Sequence, residues 1–374
     1  MHGFRLEGST AATNQEHFRK MELTNRMHQM TIPSGFTYFC RSSILWCLLV
    51  LSSGHLWSQD PHFSQTFMAP LYLNPALTAT SQWDIRVGGQ WKEQWPQVPV
   101  AYRTFAAFYD QKIDPSWLST GRLGVGLLFL HDQAGDGDLS WTQVGLRASY
   151  TLPLGPDQAL SAGVGADVGQ RAFRADQLQF GDQYNGEFFD PDQTTTEVFN
   201  SQSSGLASLV AGLHYQGAIS QSRSQLNVGL AASHFNRPVI SFFGDRDVPL
   251  PVWARGYAQG QLELNEDWDA TLRGHYFRQG AYQEILLGGG VQYYGLPAKQ
   301  PIVLGAALAH RLGDAWIVEL SALYQQQWRV GISYDINTSA FQTATNGRGG
   351  LELAVHYYIM QAKPPVEFKS CPIF

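Results

Sequence analysis

The sequence predicts an all-β fold: a transmembrane antiparallel β-barrel of about 14 strands, with 12–16 possible. Only 15% of residues are charged and 13% are aromatic, and there are 37 glycines and 11 tryptophans. Mean hydropathy is nevertheless −0.20. This composition suits a chain in which half of the side chains face lipid and half face a wet interior. A soluble β-sandwich is the alternative, but it would usually carry more surface charge.

The N-terminal residues 1–58 are predicted to be a signal peptide with an over-extended N-terminus. Arg41 precedes a short apolar run at 44–51, and Ser-Ser-Gly-His-Leu-Trp-Ser follows at 52–58. This order is typical of a secretory signal, and cleavage after Ser58 would leave Gln59 first. A single-pass anchor helix is the alternative, although the apolar run is too short to span a bilayer. The expected location is therefore the outer membrane, reached through a cleaved N-terminal signal peptide.

Residues 59–80 are predicted to form a separate N-terminal segment that is periplasmic or plug-like. Phe63, Phe67, Leu71 and Tyr72 are too apolar to be left in water. The alternative is an ordinary leader into the first strand.

Residues 81–361 are predicted to form the barrel, because apolar and polar residues alternate along them with a period of two. The clearest segment is 328–337, where every second side chain is apolar. Most predicted strands are long enough to cross a bilayer at a tilt. They are 81–91, 99–110, 121–131, 139–152, 158–171, 204–217, 223–234, 251–264, 267–279, 283–294, 299–311, 314–325, 327–337 and 349–361.

The connections and strand ends carry further signals. The short links at 153–157 and 265–266 are predicted to be periplasmic, and the long ones at 172–203 and 338–348 extracellular. Residues 362–374 are predicted to be a C-terminal periplasmic tail, because two prolines stop strand pairing there. Several tryptophans near strand ends suggest interfacial girdles: Trp83, Trp91, Trp95, Trp141, Trp253, Trp268, Trp316 and Trp328.

Two blocks of sequence carry a family resemblance. One runs from Gln59 to Gln65 and continues at 70–76 (Pro-Leu-Tyr-Leu-Asn-Pro-Ala); the other comprises 334–352 and the terminal Cys-Pro-Ile-Phe. Together with 131–135 and 153–155, these resemble the PorP/SprF family of Bacteroidetes, outer-membrane proteins of type IX secretion and gliding motility. The terminus departs from the family's usual Cys-Pro-Arg-Phe at Ile373, which leaves a charge role for the tail unsupported.

The resemblance implies a binding function, with outer-membrane lipid around the barrel. The implied partners are type IX secretion components, including motor proteins, or one large secreted adhesin that the protein exports or anchors. The alternatives are a passive or substrate-specific pore and, as a third class, an outer-membrane phospholipase. The candidate partner-contact residues lie in the two blocks: Phe63, Phe67, Leu71, Tyr72, Asn74, Pro75, Asp335, Asn346 and Arg348. For Arg348 a purely structural role was the favoured alternative, as an ion pair with Glu352 or Asp335.

The sequence contains no motif for catalysis, a cofactor or a metal. Walker, Gly-x-Ser-x-Gly and His-Glu-x-x-His motifs are absent. Residues 131–138 resemble a calcium loop only loosely, without the closing glutamate of an EF-hand. The formal net charge of −6 also speaks against nucleic-acid binding. We therefore expect a protein that is not an enzyme and has no cofactor.

Overall fold

The computed structural model describes residues 60–96, 102–135, 137–190, 192–242, 249–295 and 301–361. The predicted signal peptide at 1–58 and the predicted tail at 362–374 lie outside the described residues. No helix among the described residues is long and apolar enough to cross a membrane.

The described residues form fourteen antiparallel strands that close into one barrel. Each strand pairs with its sequence neighbours, and β14 pairs with β1 from Ile85↔Ile359 to Gln94↔Gly350. Closure leaves no strand edge unpaired, which a lipid environment requires. The strands are β1 Ile85–Gln94, β2 Tyr102–Ile113, β3 Arg122–Ala134, β4 Leu139–Gly155, β5 Gln158–Ala172, β6 Ser203–Ala218, β7 Gln225–Ser233, β8 Trp253–Glu263, β9 Trp268–Gln279, β10 Tyr282–Tyr293, β11 Ile302–Arg311, β12 Ala315–Tyr324, β13 Trp328–Asn337 and β14 Arg348–Ile359.

The strands expose apolar side chains outward and bury polar ones inward. On β13, Ile332 and Tyr334 are exposed, whereas Ser333 and Asp335 are buried. The same alternation runs through the other strands because successive side chains of a strand point to opposite faces. An apolar outer face around a polar interior is the pattern of a membrane barrel.

The predicted fold class and strand count are confirmed. The largest differences in strand starts are in β1, β2 and β11, which begin at Ile85, Tyr102 and Ile302, three to four residues later than predicted. Ala79, which precedes β1, adopts a left-handed φ of 55°, and the chain bends before it enters β1.

The barrel has two rims. The end at which β1 begins and β14 ends is called the terminal rim, and the other end the opposite rim. The short links at 153–157 and 265–266 lie at the terminal rim, and the long connections between β5 and β6 and between β13 and β14 lie at the opposite rim. Tight turns also occur at the opposite rim, as between β9 and β10, so loop length does not alternate strictly.

The tryptophans divide between the two faces. Trp268, Trp316 and Trp328 are exposed near strand ends, as a girdle requires. Trp141 and Trp253 are instead buried on the inward face. The girdle prediction was wrong for these two, because the barrel interior contains an apolar cluster that strand-end position does not reveal.

Candidate functional site

Residues 60–80 lie inside the barrel and are called the lumenal segment. Three short helical turns, at Thr66–Met68, Pro70–Leu73 and Pro75–Leu77, fold it compactly. Such short turns leave most backbone N–H and C=O groups without internal partners. Inward-facing side chains of the strands supply many of those partners.

The segment begins near the opposite rim. The backbone N–H of Asp60 donates to Gln279 Oε1 at 2.7 Å, and its carboxylate lies 2.7 Å from Nε2 of His234. Gln279 ends β9 and His234 directly follows β7. Asp60 is therefore held between two strand ends of the opposite rim.

Further along the lumenal segment, a cluster of buried charged side chains surrounds Ser64. Its backbone N–H donates to Glu352, while its hydroxyl donates to Asp335 at 2.8 Å and accepts from Arg311 at 2.6 Å. Lys92 donates to the His62 carbonyl at 3.1 Å and lies 3.8 Å from Asp335. Four strands (β1, β11, β13 and β14) thus hold residues 62–64 through charge-assisted bonds, which are stronger than neutral ones.

In the middle of the lumenal segment, from Met68 to Tyr72, arginine and histidine side chains hydrogen-bond to backbone carbonyls. His356 Nε2 lies 2.9 Å from the Met68 carbonyl, and Arg147 donates to the Leu71 carbonyl at 3.2 Å. Arg255 donates to the Tyr72 carbonyl. Such bonds satisfy carbonyls that would otherwise be buried without a partner.

An apolar cluster lies beside these polar contacts. Phe63, Leu71, Tyr72 and Leu73 are buried against inward-facing residues of β2, β3, β8 and β9. The Tyr72 ring packs on Trp253 with centroids 5.1 Å apart. Burying a side chain of this size contributes about 1.5–3 kcal/mol, so apolar packing and polar bonds both hold the segment.

Asn74 and Pro75 turn the segment toward the wall formed by β5 and β6. The Asn74 side-chain amide donates to the Leu213 carbonyl at 2.9 Å and accepts from the Ala76 N–H at 2.8 Å. A Cβ at Gly163 would collide with the Pro75 backbone, and one at Gly212 would collide with the Asn74 side chain. Glycine therefore permits the close approach of the segment to the wall.

The segment ends at the terminal rim on an ion pair. Arg86 and Asp110 form a buried pair at 2.8 Å. Arg86 also donates to the Leu77 carbonyl at 3.0 Å, and Asp110 accepts from the Ala79 N–H. The lumenal segment therefore runs from one rim to the other.

Two titratable groups of the segment have pKa values shifted by burial and by their neighbours. Burial lowers the pKa of His62 to about 4, against the opposing attraction of Glu284. For Asp60, burial favours a higher pKa, but the neighbouring His234 and Gln279 outweigh it and lower the pKa below its usual value. At neutral pH the segment is thus held with His62 neutral and Asp60 ionised.

The structure places the candidate contact residues in two groups. Phe63, Leu71, Tyr72, Asn74, Pro75 and Asp335 are buried inside the barrel, and Phe67 is partly buried. Asn346 and Arg348 are exposed at the opposite rim. Only these two are accessible to a partner outside the barrel while the lumenal segment stays in place.

The structure contradicts the predicted ion pair of Arg348 with Glu352 or Asp335. Asp335 pairs with Arg311 at 3.1 Å and with Lys92, and Glu352 accepts bonds from Ser64 and Gln65. Within the described ranges, Arg348 makes no ion pair with either carboxylate. The predicted turn is present, with Asn346 at φ 51° and Gly347 at φ 74°, but it points Arg348 into solvent.

Several residues that hold the segment were not singled out in the sequence. These are Lys92, Arg147, Arg255 and Arg311, which all occupy polar positions of the alternating pattern; Glu352 was named only as a partner of Arg348. That pattern was a usable signal, since charged residues on the inward face of a barrel need partners. The described residues contain no group of three or more His, Cys, Asp or Glu side chains that could hold a metal ion.

Comparison with known proteins gives a family and several barrels of low identity. The family model described as "Type IX secretion system membrane protein PorP/SprF" matches residues 56–357. No curated protein matches the chain. A monoaromatic hydrocarbon channel (TodX ΔS2S3 mutant) is 9% identical, with TM-score 0.46 over 80% of this chain and 95% of its own. A Pseudomonas aeruginosa FadL homologue is 11% identical, with TM-score 0.42 over 83% and 96%. The Pseudomonas putida toluene transporter TodX is 10% identical, with TM-score 0.43 over 77% and 93%.

Proposed function

Because the chain belongs to the PorP/SprF family of type IX secretion system membrane proteins, we propose that it is an outer-membrane barrel that works by binding. It either holds motor components of the secretion and gliding machinery at the membrane, or exports and anchors a large surface adhesin. The signal peptide predicted at 1–58 delivers it to the outer membrane, and lipid surrounds its apolar outer face.

The observation that carries this proposal is the occupied lumen. Residues from Asp60 to Ala79 are tied to β1, β2, β4, β6, β9, β13 and β14 by hydrogen bonds of buried groups. A diffusion pore needs a continuous aqueous path, and this segment runs through the path from rim to rim. A barrel whose interior is crossed by a firmly bound segment is better suited to act as a rigid scaffold than as a pore.

The opposite rim carries the longest connections of the barrel, between β5 and β6 and between β7 and β8. Phe173 packs against Phe199 and Phe242 at centroid distances of 4.8 and 4.9 Å, which joins the β5–β6 connection to the β7–β8 connection. Asn346 and Arg348 are exposed on the β13–β14 connection at the same rim. Ordered loops of this kind can present a fixed surface to a partner.

The alternative function is a passive or substrate-specific pore. It requires the lumenal segment to leave its site, which breaks the buried bonds to Glu352, Asp335 and Asp110. Removing one partner from a buried charged group costs about 3–5 kcal/mol. The pore is therefore the less favoured function.

The test is affinity purification of the tagged protein from detergent-solubilised outer membranes, with identification of the proteins recovered. We expect type IX secretion components or a large adhesin. Charge reversal by Arg348→Glu should reduce their recovery, whereas Arg103→Glu, at an exposed arginine in β2, is the control. Recovery of only general porins and lipoproteins would remove the proposal.

A further inference from the structure

A cavity of about 710 Å³ lies between the lumenal segment and the terminal rim. It exists because residues 77–79 bond to β1, β2 and β4 and leave space beside β8–β13 near the terminal rim. Gln65, Phe67 and Met68 of the segment close it on the inner side, and Gln82 and Gln326 line it near the rim. We call it the terminal cavity.

The wall of the terminal cavity is rich in amide side chains. Gln261 bonds to Gln225 at 3.1 Å and to Tyr294, whose hydroxyl donates to Gln292. Other polar side chains of the wall have no protein hydrogen bond within the described part of the chain. These are Gln82, Gln259, Thr271, Ser321 and Gln326.

Two of the three arginines of the wall are paired with carboxylates. Arg223 pairs with Asp269 at 2.8 Å and with Glu263 at 3.3 Å, and Arg273 pairs with Glu319. Arg329, at the start of β13, has no ion pair or hydrogen bond to any described residue. A guanidinium of this kind favours a carboxylate as its ligand.

We infer that the terminal cavity binds an extended, acidic polypeptide segment of a partner protein that enters from the terminal rim. Glutamine amides both donate and accept hydrogen bonds, which matches the alternating N–H and C=O groups of an extended chain, and Arg329 receives an acidic side chain. The volume lies within the range of about 300–1,000 Å³ that is usual for ligand sites. This inference rests on the proposed function, because it assumes that the barrel binds partner proteins.

The lining favours a peptide over an oligosaccharide. Sugar rings stack on open aromatic faces, but the Tyr294 ring is covered by Arg223, whose guanidinium carbon lies 4.4 Å from the ring centroid. Phe67 in turn packs edge-on against Tyr257, with centroids 5.6 Å apart. One face of Tyr294 is thus already taken by Arg223, and the Phe67 ring is engaged by Tyr257.

The experiment probes an array of random-sequence peptides, and a second array of oligosaccharides, with the purified full-length protein in detergent. Ser321→Trp fills the cavity, and Val318→Trp on the outward face of the same strand is the matched control. Arg329→Gln removes the unpaired charge but keeps an amide.

The expected result is that the wild type and Val318→Trp bind acidic peptides and that Ser321→Trp binds them at least about tenfold more weakly. Arg329→Gln should lose the preference for acidic over basic peptides. Equal binding by Ser321→Trp, a bound set without acidic bias, or preference for oligosaccharides would each overturn the inference. So would the absence of any binding.

The failure of this inference differs from the failure of the proposed function. If the wild type still recovers secretion components by affinity purification but binds no acidic peptide, the inference fails and the proposed function stands. If it recovers none, the proposed function fails. In that case the peptide array alone decides whether the terminal cavity binds peptides.

Discussion

The backbone N–H of Ser64 donates a 2.8 Å hydrogen bond to Glu352, although 288 residues separate the two in the chain. The other carboxylate oxygen of Glu352 accepts from the Gln65 N–H at 2.7 Å. One side chain of the last strand thus satisfies two backbone groups of the lumenal segment, close to where β14 pairs with β1 and closes the barrel.

The substitution Glu352→Gln should loosen the lumenal segment around Ser64 and Gln65. The neutral amide can accept from only one of the two N–H groups and turns a donor toward the other. We expect a loss of about 2–4 kcal/mol in the free energy of local opening. Hydrogen exchange of the Ser64 and Gln65 amides measures it.

The control for this substitution is Glu93→Gln. Glu93 pairs with Arg103, whose side chain is 61% exposed, and exposed pairs contribute at most about 1 kcal/mol. Exchange at Ser64 that stays unchanged in Glu352→Gln would show that this carboxylate does not hold the segment.

Gly163→Ala should displace the turn at Pro75–Leu77. The added Cβ would lie against the Pro75 carbonyl and the Ala76 nitrogen, which are backbone atoms and cannot rotate away. Overpacking of this kind costs about 1–3 kcal/mol. Thermal unfolding in detergent measures it. Gly260→Ala in β8 meets no atom within 4 Å and should leave the unfolding midpoint unchanged; equal midpoints for the two variants would refute the close approach.

Asp110→Ala should be more destabilising than the double substitution Arg86→Met with Asp110→Leu. The single change leaves Arg86 buried without its partner, at a cost of about 3–5 kcal/mol. The double change replaces the pair by apolar side chains and should recover part of that loss. Denaturant unfolding compares them, and a double variant that is less stable than the single one would contradict the assigned role.

The free energy of unfolding should fall as the pH is lowered from about 6.5 to about 4. Burial lowers the pKa of His62 to about 4 in the folded protein, against 6.5 in the unfolded chain. In this window the unfolded chain binds a proton that the folded protein does not, so stability rises with pH. Unfolding midpoints across the window test this against His62→Gln, which should show a weaker dependence; an identical slope in the two proteins would rule His62 out.

The fold was predictable because the membrane constrains every strand in the same way. Each strand must show lipid on one side and the interior on the other, so the alternation at 328–337 is visible without knowing any partner strand. The first strand begins later than predicted because the chain must first leave the lumen: Ala79 adopts a left-handed φ of 55°, and nothing in the local sequence marks that bend.

The path of the lumenal segment was not predictable in the same way. Asn74 bonds to the carbonyls of Leu213 and Leu230, 139 and 156 residues away. No periodicity encodes such contacts. The pairing of inward charges was also open: Asp335 was expected beside Arg348 but pairs with Arg311. These two residues lie on β13 and β11, on either side of β12, and the assembled sheet brings their side chains together inside the barrel.

The most direct test of a binding platform against a pore is single-channel conductance in planar bilayers. It compares the wild type with a variant that lacks residues 60–79. We predict that the wild type does not conduct and that the deletion variant conducts in stable steps, because the lumenal segment runs through the path from rim to rim. Stable steps of equal size from both proteins would contradict the account.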